Sequence, residues 1–340
     1  MPPSLPPFEL LEPILLSTHK WSATPHVPLY LFFGGLAAGI FIVAAICDLV
    51  STRLPRFEAV ARVGGYLAFP MAAIGGLFLT LHLGKPERGI LFPIFFTNFE
   101  SVMVIGGWIL AAFLAVSAGY LALWYFGIER RGRMVVAIVG IPLAIALGAY
   151  TGFLLSGTIP FVGEKNVFIP LWNEKYLPLM FLNSGITTGI ALAGVATLVA
   201  TRIAWPPAAI RLEDRDRANV IRWLTVCMGI AILVESFELY SFLSYLSQQE
   251  PIKGGKLVVH LLTQGDLAPW FWGGVVGVAL ALPFLLAAAS LLTKKPIPAL
   301  AYSYFGLALI GGMILRFVIV WGGELKQPLA LPPSMWPMIY

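Results

Sequence analysis

Cysteine is almost missing from this chain: Cys47 and Cys227 are the two among 340 residues, and both fall in apolar stretches. An iron–sulfur cluster generally takes four thiolates, and a zinc site takes clustered Cys and His ligands. Neither can be built from these two thiols, so no metal ligands are assigned. Histidine is also scarce, with His19, His26, His82 and His260. Charge is thin as well: Asp, Glu, Lys and Arg make up 11% of the residues, against about 25% in an ordinary soluble domain. With 59% hydrophobic residues and a mean hydropathy of +0.85, the composition is that of a polytopic membrane protein whose main partner is the lipid bilayer. The net charge of +5 does not call for nucleic acid, because the basic residues are strung between apolar segments. The first 25 residues carry Glu9, Glu12 and several prolines without a basic stretch leading into an apolar run, so no cleavable signal peptide is expected.

What the chain has in abundance is long apolar runs. About 20 such residues in a helix match a hydrocarbon core about 30 Å thick. Eight runs of this length are present, at 28–50, 59–82, 100–126, 134–158, 177–202, 218–246, 267–292 and 298–323. The expected fold is an all-α integral membrane protein of eight transmembrane helices, grouped as two four-helix bundles. A tail over 1–27 precedes the first bundle at 28–158, a loop at 159–176 leads to the second at 177–323, and a tail over 324–340 follows. Arg53, Arg56, Arg62, Arg130, Arg131, Arg133, Lys294, Lys295 and the five arginines between 202 and 222 lie in or beside the odd-numbered loops. The tails and even-numbered loops hold the smaller share of Lys and Arg. The positive-inside rule then puts the odd loops in the cytoplasm and both termini outside.

An internal duplication is visible at an offset of 150 residues. PLYLFFGGLAAG from Pro28 aligns with PLMFLNSGITTG from Pro178, with Gly35 and Gly39 matching Gly185 and Gly189. Four helices per half would give the two copies the same orientation. Small-x-x-x-small spacing also serves close helix packing anywhere in a membrane, so these four glycines are first of all packing residues.

Against this apolar background the ionisable residues stand out. Glu235 and Glu238 lie in the middle of the sixth run, where a carboxylate costs roughly 2.5–3.5 kcal/mol or more. Three residues apart on a helix, they are expected to point into one shared space. Arg316, inside the last run, is the candidate counter-charge. Tyr150 falls in the outer half of the fourth helix, His82 at the outer end of the second, and His26 and Glu100 at the outer ends of the first and third. Asp48 is the exception, at the inner end of the first helix beside Arg53 and Arg56, with an interfacial ion pair or a proton path as its alternatives. Histidine, tyrosine and carboxylates in an apolar pocket suit a small ligand that exchanges protons. A lipid-soluble quinone is one such ligand. A transported ion or substrate would use similar groups, and the pattern alone leaves both open.

Three stretches add a resemblance. HVPLYLFFGGLAAG, 26–39, resembles the start of the polysulfide reductase membrane-subunit family, also called NrfD/PsrC-like. HLGKPERG, 82–89, with Ser101 and the GGW at 106–108, is similar to that family's second loop and third helix. AYTGFLLSG, 149–157, followed by IPLWN, 169–173, is similar to its fourth helix and the loop beyond. The resemblance implies eight helices in two bundles, no haem or iron–sulfur cluster in this chain, and a menaquinone or ubiquinone site at the non-cytoplasmic face. It implies a ferredoxin-like iron–sulfur subunit as partner, joined to a molybdenum or tungsten bis-pterin catalytic subunit or to a multihaem cytochrome. Tyr150 matches the family's quinone-contacting tyrosine, and His26 approximates its histidine three residues early. Glu235, Glu238 and Arg316 rest on burial alone. The resulting expectation is a quinone-reactive membrane subunit of a respiratory oxidoreductase, with His26, Tyr150, Glu100 and His82 at the quinone. Glu235, Glu238, Arg316 and Asp48 would carry or steer protons. A proton-coupled secondary transporter and a haem-b quinol dehydrogenase anchor are the alternatives.

Overall fold

The computed structural model describes residues 25–82, 99, 101–157, 169–203, 212–249, 254–293 and 297–324. Eight helices among them are long and apolar enough to cross a membrane: α1 His26–Val50, α2 Glu58–His82, α3 Val102–Tyr125, α4 Arg130–Ser156, α5 Leu177–Ile203, α6 Asp214–Gln248, α8 Trp270–Leu292 and α9 Pro298–Glu324. They coincide with the eight apolar runs, because a spanning segment must satisfy every backbone group internally and a helix does so locally. Three smaller elements fall where loops are expected from the sequence. 3₁₀ turns cover Pro55–Phe57 and Pro170–Trp172, and a short helix, α7, covers Gly255–Thr263. The first half of α8, Trp270–Ala281, is wound as a π-helix. At the end of α4, Gly157 takes φ +67°, the left-handed conformation that glycine adopts without strain.

The helices are not equivalent in position. In α1, 83% of the apolar window is buried within the protein, and in α5 61%, whereas α2, α3 and α8 each bury 33%. The two central helices are therefore the two copies of the repeat, and they pack on each other. A Cβ on Gly39 would collide with the Gly185 carbonyl, one on Gly189 with the Gly39 backbone, and one on Gly185 with the Gly35 carbonyl. Gly35 thus meets Gly185 and Gly39 meets Gly189 in the same order, so α1 and α5 run parallel.

The helices around this pair repeat the relation. Gly148 of α4 lies against Ala38 of α1 and Leu182 of α5. Gly312 of α9, 164 residues on, lies against Thr188 of α5 and Phe32 of α1. Those two partners are the first pair exchanged and shifted by 150. Gly106 of α3 likewise faces Tyr150 of α4, as Gly274 of α8 faces Ile314 of α9. The chain is a parallel duplication with its axis between α1 and α5, the kind of repeat related by an axis along the membrane normal. The halves meet there by interdigitation, and α1 also packs on α2, α4 and α9.

Candidate functional site

Two groups of polar side chains lie on opposite sides of the α1–α5 crossing. The first sits where α1 begins and α4 ends. His26 is half-buried and stacks on Phe78 of α2, with ring centroids 6.4 Å apart. Phe78 in turn stacks on Phe33, at 5.8 Å. His82 follows Phe78 by one turn of α2. Tyr30, one turn along α1 from His26, is completely buried. Its ring passes 3.9 Å from the position of a Gly34 Cβ, and its hydroxyl has no hydrogen-bond partner among the described residues. Tyr150 is buried beside it, close enough for electrostatic interaction between the two phenols. Gly106 makes room for the Tyr150 ring, since any Cβ there would overlap it. Glu100, expected in this group, lies outside the described residues.

The second group is ionic and involves α5, α6 and α9. Arg316 is 1% exposed. Its Nη1 donates to Ser184 Oγ at 2.8 Å, its Nη2 donates to the Phe181 carbonyl at 3.0 Å, and its guanidinium lies 4.3 Å over the Phe181 ring. The position of a Gly35 Cβ is 3.3 Å from Arg316 Nη2, so the bare backbone of α1 makes space for the guanidinium. Glu235 is buried, and the Ser184 and Thr187 hydroxyls face its carboxyl, with Arg316 within electrostatic reach. Glu238 is half-buried and accepts from Asn183 Nδ2 at 3.2 Å, while the same amide donates to the Ala231 carbonyl at 3.1 Å.

The two carboxylates therefore share one neighbouring helix but have different partners. Arg316 is within electrostatic reach of Glu235 and shares Ser184 with it, while Glu238 lies within electrostatic reach of Glu235 and takes Asn183 as its own partner. Side chains three apart on one helix diverge by about 60°, enough here to separate a buried from a half-exposed setting. Asn183, Ser184 and Thr187 were not singled out from the sequence. The signal was present in the repeat, where these polar residues replace Phe33, Gly34 and Ala37 of the first copy.

Asp48 belongs to neither group. It is fully buried at the arginine-rich end of α1, and its carboxylate faces Tyr120 and Arg133 rather than Arg53 or Arg56. Tyr120 Oη donates to its Oδ2 at 3.0 Å, and Arg133 Nε lies 3.7 Å from the same oxygen. Arg130 donates to the Asp48 carbonyl at 3.1 Å and to Ser51 Oγ at 2.6 Å. Arg133 also covers the Trp124 ring at 3.8 Å. The carboxylate thus ties α1 to α3 and α4. Along the helix it lies about 27 Å from Tyr30, at about 1.5 Å per residue.

The comparison with known proteins follows the same pattern over nearly the whole chain. The family model described as "Polysulphide reductase, NrfD" matches residues 18–327. The chain belongs to that family. Among its relatives in the NrfD family, the C chain of the polysulfide reductase of Wolinella succinogenes is 30% identical over 321 residues, covering 88% of this chain and 93% of the relative. Protein NrfD of Escherichia coli is 27% identical over 88% of this chain and 94% of its own length. A putative dimethyl sulfoxide reductase membrane subunit of Halobacterium salinarum is 25% identical over 96% of this chain and 74% of its own. Together with the eight spans, this establishes a multi-pass membrane protein of the NrfD family.

Proposed function

We propose that this chain is the membrane subunit of a reductase complex in the cytoplasmic membrane, exchanging electrons with menaquinone or ubiquinone at its extracytoplasmic end. The observation that carries the reading is the grouping of His26, Tyr30 and Tyr150 between walls of Phe33 and Phe78. It is an apolar, aromatic setting holding a few groups that can donate hydrogen bonds and exchange protons. When reduced, a quinone takes up two electrons and two protons at its carbonyl oxygens. Tyr150 and His26 hold hydrogen-bond donors for such oxygens, and His82 lies near enough on α2 to share the mouth of the site. The arginine-rich end faces the cytoplasm in this reading, which puts the aromatic group outside. An iron–sulfur subunit would dock there, joined to a bis-pterin or multihaem catalytic subunit. Names among the relatives, a polysulfide reductase and a dimethyl sulfoxide reductase membrane subunit, support membership of such a complex.

Glu235 is the proton-handling residue of the second group in this proposal. Ser184 links it to Arg316, and Glu238 with Asn183 forms the half-exposed side toward solvent or lipid headgroups. Glu235→Gln keeps the volume and the hydroxyl contacts while removing the titrating group. It is expected to lower quinol-linked turnover at least tenfold in native membranes while subunit assembly is unchanged. Unchanged turnover would remove Glu235 from the proton route. Asp48→Asn, by contrast, is expected to leave quinone affinity unaltered and lower the thermal unfolding midpoint, because Asp48 is distant from the aromatic group and holds Tyr120 and Arg133.

The proposal as a whole is tested by purifying the chain from native membranes in mild detergent and identifying what accompanies it by mass spectrometry. An iron–sulfur protein, a pterin or cytochrome subunit and a bound quinone are expected. A chain that emerges alone and without quinone would overturn the reading in favour of a transporter.

A further inference from the structure

Tyr30 is fully buried, and its hydroxyl lacks a hydrogen-bond partner among the described residues. A hydroxyl removed from water without a partner costs free energy, so native proteins seldom leave one in that condition without a reason. Within hydrocarbon, no solvent is at hand to offset the loss. The position is not forced by packing alone. The second copy of the repeat has Met180 in the equivalent place, buried with 1% exposure and serving the same packing role without a polar atom. The first copy thus keeps a phenol where its duplicate keeps a thioether.

Its surroundings are those of the aromatic group. His26 precedes it by one turn on the same face of α1, Tyr150 is its neighbour from α4, and Gly34 leaves its ring free of a Cβ on the following turn. The equivalents of the other two differ as well. Tyr150 corresponds to Ile314 and His26 to Tyr176, so all three polar members of the aromatic group are exchanged in the second half.

We infer that the Tyr30 hydroxyl is a ligand-contacting hydrogen-bond donor of the aromatic site, completing its unmet bond on a quinone carbonyl oxygen alongside Tyr150. The inference rests on the quinone reading above and adds a residue to it. It also accounts for His26 standing three residues early: the donor from the next turn of α1 reaches deeper than the imidazole does. Tyr30 would hold the oxygen through this hydrogen bond and orient the ring, keeping its own proton.

The test is Tyr30→Phe in the complex isolated through a tag on this chain, with Tyr150→Phe alongside. Binding of 2,3-dimethyl-1,4-naphthoquinone and of decylubiquinone is measured by tryptophan quenching, and the unfolding midpoint with and without each quinone. Phenylalanine keeps the ring and removes a hydroxyl that has no partner among the described residues, so folding is retained. The expected result is a dissociation constant raised about 2- to 12-fold, the range for one neutral hydrogen bond, with a smaller quinone-induced rise in midpoint. In the absence of quinone the variant is expected to melt no lower than the parent. Wild-type affinity in Tyr30→Phe together with weakened binding in Tyr150→Phe would overturn the role of Tyr30 and leave the quinone site standing. No saturable binding of either quinone to the parent complex would overturn both.

Discussion

Arg316→Ala is expected to destabilise the protein by about 3–5 kcal/mol, the range for removing one member of a buried, hydrogen-bonded charge network. The guanidinium is shut from solvent, its two donors satisfy Ser184 and the Phe181 carbonyl, and its face covers the Phe181 ring. Truncation leaves those acceptors unmet and leaves the Glu235 carboxyl without its nearby cation in a medium that solvates neither. Arg316→Met separates the contributions, since it restores most of the volume and none of the charge. In the double variant Arg316→Met/Glu235→Gln, part of the loss should return, because the carboxylate that needed the cation is gone. The readout is the thermal midpoint and the folded yield in detergent for the two single variants and the double. If Arg316→Met alone melts with the parent, the guanidinium is not holding the three helices together. If the double variant shows no recovery, Arg316 and Glu235 are not energetically coupled through Ser184.

The second large effect is expected at the helix crossing. Gly39→Ala and Gly189→Ala each place a methyl group against backbone of the opposite helix, the Gly185 carbonyl in one case and the Gly39 backbone in the other. Overpacked cores usually lose about 1–3 kcal/mol because side chains yield. Here the obstructing atoms are main chain, so α1 and α5 must separate, and with them every helix that packs on the pair. Little folded protein is expected from either variant. Gly119→Ala and Gly306→Ala serve as controls, because an added Cβ at these helical positions meets nothing within 4 Å. They are expected to be neutral or to gain up to about 1 kcal/mol from helix propensity. Normal folded yield from Gly39→Ala would mean that the crossing is looser than the structure describes.

The spanning helices were legible because the membrane imposes a length and a composition on each of them, and both are written locally in the sequence. The packing glycines were legible for a related reason: small residues recur at the spacing of a helix face. Long-range pairing was not. Asp48 looked tied to Arg53 and Arg56, its neighbours in sequence, whereas its ligands Tyr120, Arg130 and Arg133 come from helices more than seventy residues away. Glu235 and Arg316 were conspicuous as charges in apolar runs, but Ser184 between them was not, since a serine costs little in such a run and attracts no notice. Comparing the two repeat copies position by position would have exposed it, with Asn183 and Thr187. Tyr30 was hidden by the opposite effect. An aromatic residue in an apolar helix passes for packing until its hydroxyl is seen to lack a partner among the described residues.

The central place of α1 also bears on how the chain is made. It leaves the ribosome before the other seven spanning helices described, and the surface that receives its glycine face is synthesised about 150 residues later. At about 5–20 residues per second, that notched face lies against lipid or the insertion machinery for roughly 8–30 s. Because its eventual occupant carries glycines at the same spacing, an interrupted chain ending after the fourth helix carries a notched surface that can meet another of its kind. Stalled or truncated products are therefore expected to pair with one another, and quality control in the membrane has to outpace that encounter.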